Sequence, residues 1–152
     1  MNEPAPVSYR AAEAKDAGAI RSLILRVGIN PRGLDWGRFL VAVDERGRLV
    51  GCGQVKPHAD GSRELASIAV RSPWRRRGIA SEIIRRLLAE AGPPLWLMCR
   101  AGLVPFYARF GFTVVDDVAR LPRYFARIYR LAAAASLLLP PESRLAVMVW
   151  KP

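Results

Sequence analysis

The hydrophobic positions along this chain follow a two-residue period in some stretches and a helical period in others. Short apolar or alternating runs, which predict strands, occupy residues 7–11, 39–43, 49–55, 64–70, 95–99, 112–116 and 145–150. Apolar positions at helical spacing predict helices at residues 14–27, 79–91, 102–110 and 120–139. The predicted order therefore begins with a strand and a helix, continues as a meander of three strands, and then enters a crossover helix.

The last predicted helix lies in a long insertion between the final two predicted strands. Pro122 suits its first turn, where the missing amide costs little. The spacing predicts an apolar stripe formed by Tyr124, Ile128, Leu131 and Ala135 and a basic stripe formed by Arg123, Arg127 and Arg130. We expect Tyr124 and Ile128 to pack this helix against the body of the protein or against a second subunit.

The stretch from residue 64 to residue 91 carries the clearest chemistry. An apolar strand leads through the basic loop Arg75-Arg76-Arg77-Gly78 into an amphipathic helix. The first amides of a helix have no acceptor within the helix and its dipole is positive there, so this arrangement favours a phosphate group. The loop lacks the Gly-Lys-Ser/Thr of a Walker motif and the three glycines of a dinucleotide fingerprint.

Length and charge narrow the possible functions. The 152 residues predict a single domain, residues 1–152, and the net charge of +11 favours anionic partners such as a phosphorylated cofactor or an acidic substrate. Nucleic acid is a weaker prediction, because the arginines are spread along the whole chain. We expect no membrane insertion, because residues 131–139, the longest apolar run, are too few to cross a bilayer.

Cysteine and histidine are scarce. Cys52 and Cys99 lie in apolar strand-like surroundings, which predicts reduced core thiols and a reducing cytoplasm. His58 is the single histidine, so we expect no metal site and no Ser-His-Asp triad. It falls in the hairpin loop at residues 56–61, where the prediction is a solvated side chain.

Two motifs resemble those of the GNAT superfamily (Gcn5-related N-acetyltransferases). Arg75, Gly78 and Ala80 match its acetyl-CoA motif, Arg/Gln-x-x-Gly-x-Gly/Ala, and Tyr107 begins a match to its second motif, Tyr-x-x-x-Gly-Phe. The resemblance implies an α/β (α+β) fold, in which a central mixed, mostly antiparallel twisted sheet of about 6–7 strands is flanked by about 4 helices. The helix between the last two strands is an addition to that fold.

The resemblance also implies acetyl-CoA as cosubstrate and no metal. In the superfamily the pantetheine arm pairs with the open edge of the central strand, and the pyrophosphate lies at the start of the following helix. The residues this implies as cofactor-binding are Ile68, Ala69, Val70, Arg75, Arg76, Arg77, Gly78, Ile79, Ala80 and Ser81. Many relatives carry Asn seven residues before the second-motif tyrosine; Arg100 stands there instead.

The catalytic residues implied are an acid and a base. Tyr107 matches the tyrosine that protonates the leaving thiolate; its alternative is a packing role among neighbouring aromatic residues. Glu64 begins the central strand, where histone-type relatives keep a catalytic glutamate; its alternative is a partner for nearby arginines. Asp35 and Asp116 are weaker candidates for the base.

The implied function is N-acetyl transfer from acetyl-CoA to a primary amine of a small molecule or a protein N-terminus, by direct attack in a ternary complex. The alternative is an acetyl-CoA-binding sensor of the same fold that does not turn over. We predict Trp36, Arg123 and Arg127 on the acceptor side, where the two arginines would favour a carboxylate-bearing amine. The competing interpretation is a solvated basic face over a homodimer contact.

Overall fold

The predicted mixed sheet and its flanking helices are confirmed. The computed structural model describes residues 5–151, which form seven strands and four α-helices. The strands are β1 (Val7–Ala11), β2 (Phe39–Asp44), β3 (Leu49–Pro57), β4 (Arg63–Val70), β5 (Leu95–Arg100), β6 (Phe112–Val114) and β7 (Leu145–Trp150). The α-helices are α1 (Ala17–Arg26), α2 (Ile79–Ala91), α3 (Val104–Ala108) and α4 (Arg123–Ser136). The strand order in the sheet is β1-β2-β3-β4-β5-β7-β6.

The residues cluster into two compact units. The first contains the described residues up to Lys56 together with Leu65–Ala91, and the second contains Pro57–Glu64 together with the described residues from Gly92 onward. In the first unit β1 pairs antiparallel with β2, and β2 pairs antiparallel with β3. Its core forms where α1 meets these strands, and its buried side chains include Ile20, Leu23, Ile24, Phe39, Val41 and Cys52.

Two glycines in β3 allow α2 to lie close against the sheet in the first unit. A Cβ atom on Gly53 would lie 2.6 Å from Ile68 Cδ1 and 2.8 Å from Ile83 Cγ2. A Cβ atom on Gly51 would lie 2.9 Å from Ile79 Cγ2. Because real Cβ atoms do not approach this closely, glycine at both positions sets the depth at which the start of α2 is seated.

In the second unit β7 pairs antiparallel with two strands. It pairs with β5 from Leu95↔Trp150 onward, and with β6 from Phe112↔Trp150 onward. The start of β4 joins them through the parallel pair Glu64↔Trp96. The core of this unit lies between the strands and α4, and its buried members are Trp96, Val115, Leu121, Phe125, Ala126, Val147 and Val149.

The predicted helix at residues 102–110 is shorter in the structure. A 3-10 turn, Ala101–Leu103, precedes α3, which begins at Val104 and ends at Ala108. The amides of Phe110 and Gly111 donate to carbonyls three residues back, and Gly111 has a φ of 95°. This tight ending at a left-handed glycine turns the chain into β6, which pairs with β7 as far as Val114.

Helix α4 forms within the predicted stretch, but only part of the predicted apolar face packs: Tyr124 and Ile128 are half-buried, and Tyr124 lies against the core of the second unit. The buried residues of α4 are Phe125 and Ala126, whereas Leu131 is 69% exposed and Ala135 is also exposed. Phe125 packs against the Trp96 ring, with ring centroids 5.7 Å apart. Because the helix is anchored through its first two turns, the apolar positions of its later turns lie at the surface.

The two cysteines are buried free thiols, as predicted. Burial raises the pKa of Cys52 to about 12 and the pKa of Cys99 to about 11. Both are therefore protonated and unreactive at neutral pH. Among residues 5–151, no helix has both the length and the apolar character that crossing a bilayer would require.

Candidate active site

In the first unit, the central strand β4 contains a residue in a left-handed conformation. Ser67 has a φ of 58°, which is uncommon for a residue with a side chain. Its oxygen Oγ accepts a hydrogen bond of 2.9 Å from Gln54 Nε2, and its carbonyl accepts one of 3.7 Å from Cys52 Sγ. This local reversal sets the direction of the backbone groups that follow, at Ile68, Ala69 and Val70. The sequence gives no signal for it.

Residues 71–78 follow the strand and end in the basic loop Arg75-Arg76-Arg77-Gly78. Their path is fixed by backbone bonds, because the Arg71 amide donates to the Val50 carbonyl at 2.8 Å. The side chain of Arg75 turns back to donate from Nε to the Val70 carbonyl at 3.3 Å, while the Arg77 guanidinium lies 4.8 Å from the centre of the Trp74 ring. Arg76 has a φ of 63°. The three predicted arginines are exposed, and they precede the start of α2 by two to four residues.

Gly78 connects the loop to the helix. Its φ of 75° is a conformation that favours glycine, and its carbonyl accepts the first helical bond from the Glu82 amide at 3.0 Å. A Cβ atom built on Gly78 meets no atom within 4 Å, so the space beside this residue is open. Ile79 and Ser81 are buried and Ala80 is half-buried. Open space, helical amides and three cations together fit the phosphates of coenzyme A.

In the second unit, Glu64 is buried and bound to the single histidine. Glu64 Oε2 and His58 Nε2 are 2.7 Å apart, and each side chain is only 8% exposed. The prediction of a solvated His58 is therefore wrong. The hairpin turn closes when the His58 amide donates to the Ser62 carbonyl at 2.9 Å, and this places residues 58 and 64 side by side. The arginine partner considered for Glu64 is likewise replaced by His58.

The start of α4 covers this pair. The Tyr124 ring stacks on the His58 ring, with centroids 3.5 Å apart and an interplanar angle of 16°, and Phe125 meets the histidine edge-on at 5.7 Å. The Tyr124 amide donates to Asp60 Oδ2 at 2.9 Å. Asp60 thereby caps a helix that begins more than sixty positions later, since the two residues are 64 apart in sequence.

Two pKa shifts follow from this packing. The bonds from the Ser62 hydroxyl and then the Tyr124 amide lower the pKa of Asp60 to about 2. Burial, and secondarily the charge of Glu64, raises the pKa of Tyr124. At neutral pH Asp60 is therefore ionised and accepts these hydrogen bonds, and Tyr124 keeps its phenolic proton.

Tyr107 lies on α3 among aromatic neighbours, also in the second unit. Its ring is half-buried, with centroids 5.1 Å from the Phe106 ring and 6.2 Å from the Phe112 ring. Burial, together with a smaller effect of Cys99, raises the pKa of Tyr107 to about 12. The phenol is therefore a permanent hydrogen-bond donor at neutral pH, and it is a weaker proton donor than an ordinary tyrosine.

An open cleft of about 640 Å³ runs along α4 in the second unit. Its lining includes Asp60, Tyr124 and the three arginines of the predicted basic stripe, Arg123, Arg127 and Arg130. All three arginines are exposed, and none forms an ion pair with another residue between 5 and 151. The cleft is therefore a cationic surface with a half-buried tyrosine in its wall.

The remaining predicted residues lie elsewhere. Trp36 is 42% exposed in a short 3-10 turn of the first unit, capped by Asp35, whose Oδ1 accepts from the Gly37 amide. Asp116 and Arg100 are exposed residues of the second unit. Within residues 5–151, no group of three or more His, Cys, Asp or Glu side chains could hold a metal ion.

Comparison with known proteins identifies relatives in one family. The family model described as an acetyltransferase (GNAT) domain matches residues 35–114, which is 80 of the 152 residues. A mycothiol acetyltransferase from Mycolicibacterium gilvum (strain PYR-GCK) is 34% identical over 98 residues. That match covers 60% of this chain and 32% of the relative, so the chain spans about a third of the length of the curated protein.

Solved structures share the fold at lower identity. N-acetylglutamate synthase from Neisseria gonorrhoeae, in complex with coenzyme A and N-acetyl-glutamate, has a TM-score of 0.74 at 20% identity, covering 97% of this chain and 35% of that one. Rv2747 from Mycobacterium tuberculosis, in complex with CoA and NLQ, has a TM-score of 0.70 at 24% identity, covering 95% and 99%. With the family model matching more than half of its length, the chain belongs to the GNAT acetyltransferase family.

Proposed function

We propose that this protein transfers the acetyl group of acetyl-CoA to a primary amine by direct attack while both substrates are bound. The observation that carries the proposal is the start of α2, where Gly78 opens onto free space beside unpaired helical amides and three arginines. Family membership supports the acetyl donor, and two GNAT-fold neighbours contain coenzyme A.

The donor is held by groups of the first unit. The amides of Gly78, Ile79, Ala80 and Ser81 and the side chains of Arg75, Arg76 and Arg77 would bind the pyrophosphate. The backbone of Ile68, Ala69 and Val70 would pair with the pantetheine arm, in the direction set by the left-handed Ser67. When bound, acetyl-CoA supplies an activated carbonyl carbon with a thiolate leaving group.

Glu64 is the proposed base. A primary amine arrives mostly as an ammonium ion at neutral pH, so one proton must leave before its nitrogen can attack. Glu64 takes that proton, directly or through one water, and later releases it to solvent. The nitrogen then forms its bond to the acetyl carbon as the carbon–sulfur bond breaks.

Tyr107 is the proposed acid. It donates a hydrogen bond to the departing sulfur and supplies the proton of the thiol, and the second proton lost by the nitrogen restores the phenol. Because the pKa of Tyr107 is about 12, full transfer to sulfur is uphill, and stabilisation of the departing sulfur by the hydrogen bond is the larger part of its role.

The acceptor proposed here carries a carboxylate near its amine. Arg123, Arg127 and Arg130 line the cleft beside Tyr124 without partner carboxylates among residues 5–151. The guanidinium fork matches a carboxylate with two parallel hydrogen bonds, so an acidic or amino-acid acceptor is favoured over a neutral amine. This preference for carboxylate-bearing acceptors rests on the cleft and not on the acceptors of the named relatives.

The test is a panel of amines read by release of free thiol from acetyl-CoA, with acetyl-CoA binding measured separately by calorimetry. We expect binding of acetyl-CoA, and turnover of acidic amines and amino acids ahead of neutral amines of the same size. Binding without thiol release from any amine would instead indicate a non-catalytic acetyl-CoA sensor. Absence of binding would contradict the assignment of the α2 start.

A further inference from the structure

We propose that His58 orients the carboxylate of the base Glu64 without contacting substrate, and that helix α4 holds His58 in place. The inference rests on the proposed function of Glu64. Its own observation is a buried imidazole–carboxylate pair, 2.7 Å apart, with an aromatic ring of α4 stacked on it.

The hydrogen bond fixes the orientation of both partners. An ionised carboxylate only accepts hydrogen bonds, so the proton between the two groups lies on His58 Nε2 whenever Glu64 is charged. That bond occupies Glu64 Oε2 and sets the plane of the carboxylate. Oε1 is then the oxygen that takes the proton of the acceptor amine, and the histidine never contacts the substrate.

Enclosure strengthens the arrangement. Both side chains are 8% exposed, so their bond lies in a region of low dielectric and resists competition from water. Tyr124 covers one face of the imidazole at 3.5 Å, and Phe125 closes its edge. The rotation of the His58 ring is therefore restricted to the plane that points Nε2 at Glu64.

Helix α4 is attached to the turn that carries His58. The Tyr124 amide donates to Asp60 Oδ2 at 2.9 Å, and Asp60 also holds the amide of Ser62 within the same turn, at 2.9 Å. The charged or titratable groups that face His58 are Glu64 on β4, Asp60 in the turn and Tyr124 on α4. Helix α4, in the insertion between the last two strands, is thus bonded to the turn and covers the His58–Glu64 pair.

Two substitutions of His58 separate the hydrogen bond from the stacking. His58→Phe keeps an aromatic ring for Tyr124 and removes the donor, so kcat should fall by about tenfold to a hundredfold while the KM of acetyl-CoA stays unchanged. His58→Gln keeps a donor and removes the ring, so kcat should stay within about fivefold of wild type. A residue that only packs would give the reverse order, and equal losses in both variants would also overturn the proposal.

A second readout does not depend on turnover. The chain has one histidine, so its ring nitrogens give one set of ¹⁵N resonances. We expect Nε2 to carry a proton in the wild type, where it donates to Glu64, and to lose this preference over Nδ1 in Glu64→Ala, where the acceptor is gone. A wild-type ring protonated on Nδ1 and not on Nε2 would overturn the pairing, whatever the activity.

The two readouts also separate this inference from the proposed function. If Glu64→Gln turns over as fast as the wild type, Glu64 is not the base and the proposed mechanism fails. If no amine is acetylated, the NMR result alone decides whether His58 and Glu64 are paired. If Glu64→Gln is inactive and His58→Phe is fully active, only the positioning role is wrong.

Discussion

The basic loop of the first unit and the His58 turn of the second unit differ in how their geometry is specified. The loop is specified locally: a strand, a left-handed glycine and a helix start follow one another within 17 residues, from 63 to 79. The turn closes through a local bond from the His58 amide to the Ser62 carbonyl, but the helix that covers it is specified at long range, because the Tyr124 amide is 64 positions from its acceptor Asp60. A contiguous motif can be interpreted from sequence, whereas a contact of this separation depends on the tertiary structure.

The comparison also suggests a division of roles. In the proposed function the loop binds the acetyl donor, and its residues Arg75, Gly78 and Ala80 match a motif of the family. The His58 turn contacts the proposed base, and α4, which we predict to be an addition to the family fold, covers that pair and lines the cationic cleft. Substitutions in the loop should therefore affect the donor, and substitutions near α4 should affect the acceptor.

The largest effect is expected at Gly78. Gly78→Glu places a side chain and a negative charge in the open space beside the helical amides, so acetyl-CoA binding should become undetectable by calorimetry. The matched control is Gly47→Glu, because Gly47 has nearly the same φ, 74° against 75°, and also has no atom within 4 Å of its Cβ position. Loss of binding in both variants would point to backbone strain instead of the loop.

The next effect is expected at Tyr107. Tyr107→Phe keeps the packing against Phe106 and Phe112 and removes the hydroxyl, so kcat should fall by about a hundredfold with little change in acetyl-CoA affinity. This is the low end for a general acid, because a phenol with a pKa of about 12 contributes mainly a hydrogen bond. Wild-type turnover in this variant would make Tyr107 a packing residue.

The sequence was sufficient for most elements of the fold and insufficient for the base cluster. Strand and helix positions depend on local periodicity, which the chain shows strongly. The stripe predicted on α4 contains Tyr124, which packs, but omits the fully buried Phe125, because the two residues are adjacent and only the contact with Trp96 selects Phe125. His58 was missed because a histidine in a turn is normally solvated; its spacing of six residues from a carboxylate across a hairpin was the available signal.

A smaller effect, confined to the acceptor, is expected in the cleft. Arg123→Ala/Arg127→Ala should raise the KM of carboxylate-bearing amines by about tenfold, or about 1.4 kcal/mol, and leave neutral amines and acetyl-CoA unaffected. Arg21→Ala/Arg26→Ala on α1 removes the same charge from exposed positions of the first unit and should change neither. Equal changes for acidic and neutral acceptors would remove these arginines from the acceptor site.

The smallest effect is expected at Asp60, where long-range capping can be compared with local capping. Asp60→Ala removes the acceptor of the Tyr124 amide, so the free energy of unfolding should fall by about 1 kcal/mol at pH 6. The pKa of Asp60 is about 2 in the folded state and near 3.8 ordinarily, so its contribution is complete above about pH 5 and lost as the pH falls towards 2. Urea unfolding at pH 6 and pH 3 should therefore show a smaller difference between wild type and variant at the lower pH.

Asp117→Ala, which removes a bond to the Ala119 amide only two residues away, is the local counterpart. Only Asp60→Ala should also lower kcat, because only Asp60 ties α4 to the turn that carries His58; an unchanged kcat would mean that the turn keeps its shape without the helix.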